Sequence, residues 1–209
     1  MVERTRQASA RANGAAAAAA NTTFSRNGAA WSEVTELGPD AFRIRLGGML
    51  RAAWMVGVCN GLARERLSID RAHARRLTHD GTWIAELHVV ATPGASDPLQ
   101  IRYVDFADVA EIPAAPPLQL HSYQLVESPD HGGTLRLTFA APDAVGLLGS
   151  LLAAFASLSL LPVEMHIETR EQQARDCLWL ASAGASGSVK PNDRERRTLD
   201  ALLRRSVQS

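Results

Sequence analysis

A single acidic residue followed closely by glycine marks the junction between an alternating apolar segment and an apolar helical segment. Asp143 precedes Gly146, and the helical segment begins near Leu147. An aspartate here is expected to act as an N-cap that accepts hydrogen bonds from first-turn N–H groups. Glycine lets the backbone approach a neighbour closely. The remaining N–H groups and the helix dipole favour a carboxylate or another anion. The junction is therefore a candidate ligand site, the alternative being a cap and a packing glycine that bind no ligand.

The six histidines are the other side chains that could do chemistry. Two groups combine histidine with carboxylate on predicted strands: His88 with Glu86 beside His73, and His166 with Glu164 and Glu168. Two histidines and one carboxylate can bind a metal ion, but the spacing in sequence does not require such a site. We favour outward-facing residues of a sheet, and we expect no metal site.

Motifs typical of enzyme active sites are absent from the sequence. It contains no serine–histidine–aspartate motif context, no phosphate-binding glycine–lysine loop and no dinucleotide-binding fingerprint. The small-residue loop at 184–187 has no lysine in the required place, and Lys190 is the only lysine of the chain. We therefore expect no catalytic residue and no cofactor, with a small biosynthetic enzyme as the least favoured interpretation.

The composition is that of an ordinary globular protein. The 22 Lys and Arg residues balance the 22 Asp and Glu residues, so nothing points to nucleic acid or an anionic membrane. The arginine clusters lack interleaved aromatic residues and predict a solvated face. The most apolar stretch, 145–163, is interrupted by glycine and serine and predicts a buried helix and strand. Cys59 and Cys177 are far apart and predict reduced thiols, which favours a cytoplasmic location.

The elements that must position the candidate residues occur twice. Phe42–Leu46 and Leu135–Phe139 alternate apolar and polar side chains, begin 93 positions apart and predict half-buried strands. Each follows a turn and an earlier strand candidate, at 31–37 in the first copy and at 118–127 in the second. Each pair is expected to form a hairpin.

Each hairpin leads through small residues into an apolar helix, at 50–62 in the first copy and at 147–158 in the second. Two further strands follow each helix, at 68–78 and 82–91 and then at 161–169 and 176–182. A last helix is clear over 193–207, whereas its counterpart at 97–109 also alternates like a strand. Helices on one face of antiparallel sheets predict an α+β fold.

The pattern divides the chain into a disordered Ala- and Arg-rich tail (1–30), a first unit (31–112), a Pro-rich linker (113–117) and a second unit (118–209). Because the chain ends at the last helix, the strand before each unit could fill the missing edge, making each copy circularly permuted. Alternatively, residues 118–127 close the first unit and leave the second one strand short.

The segment Ala140–Leu148 resembles the acid–x–proline–glycine–leucine–leucine signature that opens the first helix of ACT domains, with Val145 where proline is usual. The second copy also matches the family's element order, and the first matches by pattern only. The resemblance implies two ferredoxin-like, ACT-like units. Since ACT domains bind amino acids and similar metabolites at this loop, it also implies a set of ligand-facing residues: Asp143, Ala144, Val145, Gly146 and Leu147.

The first copy has no acid at the equivalent loop, 46–50, and we expect it to be a structural partner of the second. The function implied is that of an amino-acid sensor or regulatory protein, with a homodimer formed through sheet or helix faces. The alternative is an interaction module that docks a partner enzyme through its sheet edges or its Arg-rich last helix.

Overall fold

The computed structural model describes residues 20–25, 28–50, 54–77, 82–108, 118–144, 146–184 and 187–207. Within these ranges, ten strands form one antiparallel sheet, and the helices pack on one of its faces. The protein is therefore an α+β protein made of ferredoxin-like units, as the sequence predicted. No helix in the described ranges has the length and apolarity needed to cross a bilayer.

The first unit contains five strands and two helices. In chain order they are β1 (Ala20–Phe24), β2 (Ala30–Gly38), β3 (Ala41–Met49), α1 (Trp54–Arg64), β4 (Leu67–Arg76), β5 (Thr82–Ala91), a 3-10 turn (Pro98–Gln100) and α2 (Tyr103–Ala107).

The second unit repeats this order with its own edge elements. They are β6 (Ser122–Ser128), a 3-10 turn (Pro129–His131), β7 (Thr134–Pro142), α3 (Leu147–Ser157), β8 (Leu160–Arg170), β9 (Gln173–Gly184), β10 (Gly187–Val189) and α4 (Asp193–Ser206).

The repeat keeps a constant spacing over three consecutive elements. Corresponding elements begin 93 positions apart: β3 and β7 at Ala41 and Thr134, α1 and α3 at Trp54 and Leu147, β4 and β8 at Leu67 and Leu160. Each residue of β3, α1 and β4 therefore has its counterpart 93 positions later. For β5 and β9 the register sets the correspondence, since Leu87 lies opposite Ile44 as Leu178 lies opposite Leu137.

The two units meet in the middle of the sheet, whose order is β1-β2-β3-β5-β4-β8-β9-β7-β6, with β10 added beside β9. The strands β4 and β8 pair antiparallel, and His73 lies opposite its own counterpart, His166. On the helical face α1 packs against α3, where Gly149 lies against Asn60 and Cys59. We call this boundary the seam. Because equivalent elements pair across it, the units are related by an approximate twofold axis.

The strand that precedes each unit fills its edge position. Among the described strands, β6 pairs with β7 alone, so residues 118–127 belong to the second unit and do not close the first. After α4, Val207 forms an isolated parallel bridge with Leu120. Both units are thus circularly permuted with respect to a unit that ends in a strand.

The expected tail is wrong for residues 20–24, which form the edge strand β1. Its register with β2 runs from Ala20 opposite Thr35 to Phe24 opposite Trp31. β-Branched and aromatic residues suit a strand, and this pairing satisfies backbone groups that β2 would otherwise leave open. Residues 1–19 and the expected linker, 113–117, lie outside the described residues.

In the ambiguous segment at 97–109, the described residues form two short helical pieces, Pro98–Gln100 and Tyr103–Ala107. Asp97 caps the 3-10 turn by accepting a 3.0 Å hydrogen bond from the Leu99 N–H, and α2 follows. The segment packs on α1 at Gly61, where an added Cβ would lie 2.3 Å from the Phe106 ring. The glycine in the second half of α1 therefore permits close helix packing.

Candidate functional site

A cleft opens at the seam beside the N-terminus of α3, with a volume of about 50 Å³. Because one water needs roughly 10–15 Å³ by this measure, the space accommodates a few waters or a comparably small molecule. Its walls come from α1 and β4 of the first unit and from the β7–α3 loop, β8 and β9 of the second. We call it the seam cleft.

Four of the five residues predicted to face a ligand line the seam cleft: Asp143, Ala144, Gly146 and Leu147. The fifth, Val145, lies outside the described residues. The sequence motif therefore lies at a concave site, and that site is shared by both units.

The N-cap of α3 is Gly146 and not Asp143, which corrects the sequence-based assignment. Gly146 adopts a left-handed conformation (φ 88°), and its carbonyl accepts a 2.9 Å hydrogen bond from the Ser150 N–H, the first of the helix. Asp143 lies three residues before this point, too early to reach the first turn as a cap. Its own N–H donates to the Gln172 carbonyl at 2.9 Å.

The start of α3 lines the cleft and includes backbone N–H groups without an intrahelical acceptor. Leu147 donates to the Ala144 carbonyl at 3.0 Å. The next two residues, Leu148 and Gly149, line the cleft and occupy helix positions whose N–H groups have no intrahelical acceptor. No side chain of the described residues caps this helix. The helix start therefore suits an acceptor such as a carboxylate oxygen.

Two carboxyl groups face the same cleft. Asp176 on β9 is only 4% exposed, and one of its oxygens accepts a 3.3 Å hydrogen bond from the Glu168 N–H. Burial raises the pKa of the Asp176 carboxyl to about 7; the Glu168 N–H opposes this shift, and the charge of Asp143 adds to it. Burial also raises the pKa of Asp143, against a hydrogen bond from Thr169. The acidic side of the cleft is therefore suited to an ammonium group.

The remaining wall is apolar and comes largely from the first unit. Cys59 and Leu62 on α1 and Ile69 on β4 line it. Burial raises the pKa of the Cys59 thiol to about 12, so this cysteine stays neutral and behaves as a small apolar side chain. The seam cleft thus combines an acidic group, free helical N–H groups and an apolar surface.

The counterpart of the seam cleft on the other side of the twofold axis is filled. Trp54 and Trp83 occupy the positions equivalent to Leu147 and Ala174, two residues that line the seam cleft, and their rings make an edge contact at 5.5 Å between centroids. The space that remains there is about 10 Å³. This asymmetry supports the prediction that the first copy is a structural partner.

Asp176 was not predicted as a site residue from the sequence, although its position in a strand pattern distinguishes it. Leu178 and Leu180 alternate as inward-facing residues of β9, and the same alternation places Asp176 on the apolar face. Burying a lone carboxyl at a core-facing strand position costs folding free energy, so such a residue often has a functional role. This strand pattern could have identified Asp176 from the sequence.

The predicted histidine groups lie on the opposite, open face of the sheet. His88 contacts Glu86 at 3.1 Å, and His166 contacts Glu164 at 2.9 Å, as their shared strand faces predicted. His73 lies opposite Glu86 in the β4–β5 pair, as predicted. Because β4 also pairs with β8, His73 lies beside His166 as well, which the sequence did not predict.

Comparison with known proteins adds one structural likeness. No family model and no curated protein matches the sequence. Among solved structures, an aspartate kinase from Synechocystis is similar, with a TM-score of 0.43 and 14% sequence identity. The likeness covers 82% of this chain and 28% of that chain, so this chain spans under a third of the kinase's length.

Proposed function

We propose that this protein is a regulatory protein of the tandem ACT type that binds one amino acid, or a related small molecule with ammonium and carboxylate groups, in the seam cleft. The observation that carries the proposal is the position of Asp143, Ala144, Gly146 and Leu147 in a cleft shared by two units. The filled counterpart at Trp54 and Trp83 gives an expected stoichiometry of one ligand per chain.

The polarity of the seam cleft indicates how such a ligand would be oriented. Its ammonium group would lie against Asp176 and Asp143. Hydrogen bonds from the ammonium group would then replace the hydration that the Asp176 carboxylate loses on burial. Its carboxylate would accept from the N–H groups of Leu148 and Gly149. The apolar wall beside Cys59 then selects a small apolar side chain over a charged one.

A ligand in this cleft would change how the two units pack against each other. The walls belong to α1 and β4 on one side of the seam and to α3, β8 and β9 on the other. A ligand shifts such an equilibrium only by binding one arrangement better than another. Regulation would therefore consist of stabilising one packing of the seam, which a fused or associated partner could sense.

Thermal denaturation against the twenty amino acids tests the proposal. A ligand at 100 times its Kd contributes about 2.7 kcal/mol. For a chain of this size we expect Tm to rise by roughly 5–10 °C with one or a few small amino acids. The shift should disappear in Asp176→Asn, which keeps the size of the side chain but removes its charge. It should persist in Glu36→Gln, an exposed carboxylate on β2 outside the cleft.

A second variant blocks the cleft without altering its polar groups. Ala63 lies on α1, lines the cleft and is partly exposed, so Ala63→Leu should fill the space and abolish the shift while the helix is retained. The alternative, an interaction module without a ligand, predicts no shift in the wild-type protein with any amino acid. That result, or equal shifts in wild type and Ala63→Leu, would exclude the proposed site.

A further inference from the structure

The open face of the sheet carries a cluster of imidazole and carboxylate groups at the centre of the seam. His73 projects from β4, and Glu164 and His166 project from β8, which pairs with it. The rings of His73 and His166 lie 4.5 Å apart between centroids. Each unit therefore contributes at least one histidine to the same small area of surface.

The cluster has the dimensions of a metal site. The Glu164 Oε1 lies 2.9 Å from the His166 Nε2 and 3.8 Å from the His73 Nε2, and all three atoms lie within 4.8 Å of one another. With metal–nitrogen and metal–oxygen bonds of about 2.0–2.1 Å, two ligands of a tetrahedral Zn²⁺ are roughly 3.3 Å apart. The observed distances bracket this value, so small side-chain rotations suffice to surround an ion.

A further histidine holds the carboxylate from its other side. The His131 Nε2 lies 3.6 Å from the Glu164 Oε2, and the His131 ring stacks on Trp179 at 4.8 Å between centroids. Trp179 also makes an edge contact with His166 at 5.3 Å. Metal-ligating carboxylates are commonly oriented by such neighbours, which are fixed in turn by packing.

We propose that His73, Glu164 and His166 bind a divalent transition-metal ion of the zinc class, with His131 orienting Glu164. Two imidazoles and a carboxylate favour Zn²⁺, Ni²⁺ or Cu²⁺ over Mg²⁺ or Ca²⁺, which prefer oxygen ligands. The side chains are 48%, 25% and 52% exposed in sequence order, which leaves solvent access for the ion and an open coordination position. Because its ligands come from both units, the ion links them across the seam.

Calorimetric titration of the full-length, tag-free chain with ZnCl₂ tests the site. We expect one Zn²⁺ per chain and at least a tenfold loss of affinity in both His73→Ala and His166→Ala. His88→Ala is the matched control, because His88 lies on the same sheet face and contacts a single carboxylate, Glu86, at 3.1 Å. Its affinity for Zn²⁺ should equal that of wild type.

Thermal denaturation separates a specific site from general surface binding. Zn²⁺ at 100 times its Kd should raise Tm in wild type and in His88→Ala, but not in the double variant His73→Ala/His166→Ala, and equimolar Mg²⁺ should have no effect in any of them. Weak binding at several sites, or an equal loss of affinity in His88→Ala, would overturn the proposal. Because Asp143 and Asp176 are intact in these variants, the outcome is independent of ligand binding in the seam cleft.

Discussion

At the scale of single residues, the Asp176 carboxyl links stability to pH. Its pKa in the folded protein is about 7, above the ordinary value of 3.8, because burial penalises the charged form. Between those values the folded state holds a proton that the unfolded state has released. The free energy of unfolding therefore falls as the pH rises from about 4 to about 7, and the loss is complete above the folded-state pKa.

Asp176→Asn should remove this dependence. The amide oxygen can still accept from the Glu168 N–H, and no charge remains to be buried. We expect the free energy of unfolding at pH 8 to rise by roughly 1–4 kcal/mol and to change little at pH 4. Urea denaturation at both pH values measures it, with Glu36→Gln as an exposed control. An equal gain at both pH values would show that ionisation of Asp176 is not the cause.

The same residue predicts a proton linkage in ligand binding. An ammonium group seated against Asp176 favours its ionised form, so below pH 7 binding should release a proton, and affinity should increase as the pH rises through 7. Calorimetry in buffers of different ionisation enthalpy measures that release. Asp176→Asn should bind weakly and without proton release, and proton uptake by wild type would contradict the proposed orientation.

At the scale of elements, close packing of α1 on α2 depends on a missing side chain. A Cβ at Gly61 would lie 2.3 Å from the Phe106 ring. Alanine favours the helix by about 1 kcal/mol over glycine, yet we expect Gly61→Ala to destabilise the protein by roughly 1–2 kcal/mol because α2 must move. In a Phe106→Ala background the same change should be neutral or stabilising, which a double-mutant cycle by urea denaturation measures.

Local patterns in the sequence identify most elements but not their partners. The hairpins and the strands that follow them were recognisable because alternation and helical periodicity are properties of neighbouring residues. The strand β1 was missed because its sequence, ANTTF, is short and its pairing with β2 is not local. Asp143 was predicted to be the N-cap, but three residues separate it from the helix start. No local sequence pattern gives the path of those residues.

The candidate site shows the same limit. The sequence pointed to the loop at 143–147, yet the cleft exists only because α1 and β4 form its opposite wall. Asp176 reaches it from a strand more than 25 residues further along the chain, as the numbering of β9 shows. The filling of the equivalent space by Trp54 and Trp83 depends on packing in three dimensions and has no counterpart in a motif.

At the scale of the whole molecule, the protein has the symmetry of a dimer within one chain. The strands β4 and β8 occupy equivalent positions, pair antiparallel and place His73 opposite His166. The helices α1 and α3 are likewise equivalent and pack on each other. In a single unit, β4 or β8 would become an exposed edge strand, and α1 or α3 would expose the apolar face that packs at the seam. Both features favour association.

The fragment 118–209 should therefore form homodimers, with β8 pairing to the β8 of a second copy as it pairs to β4 in the full chain. Antiparallel pairing about a twofold axis makes such an interface self-complementary. Sedimentation equilibrium, with circular dichroism to verify folding, measures it. The matched test is addition of fragment 20–112, which supplies β4 and α1 and should convert homodimers into one-to-one complexes. If the folded fragment stays monomeric at high concentration, then neither the strand pairing nor the helix packing of the seam is sufficient for association. That result would contradict the prediction.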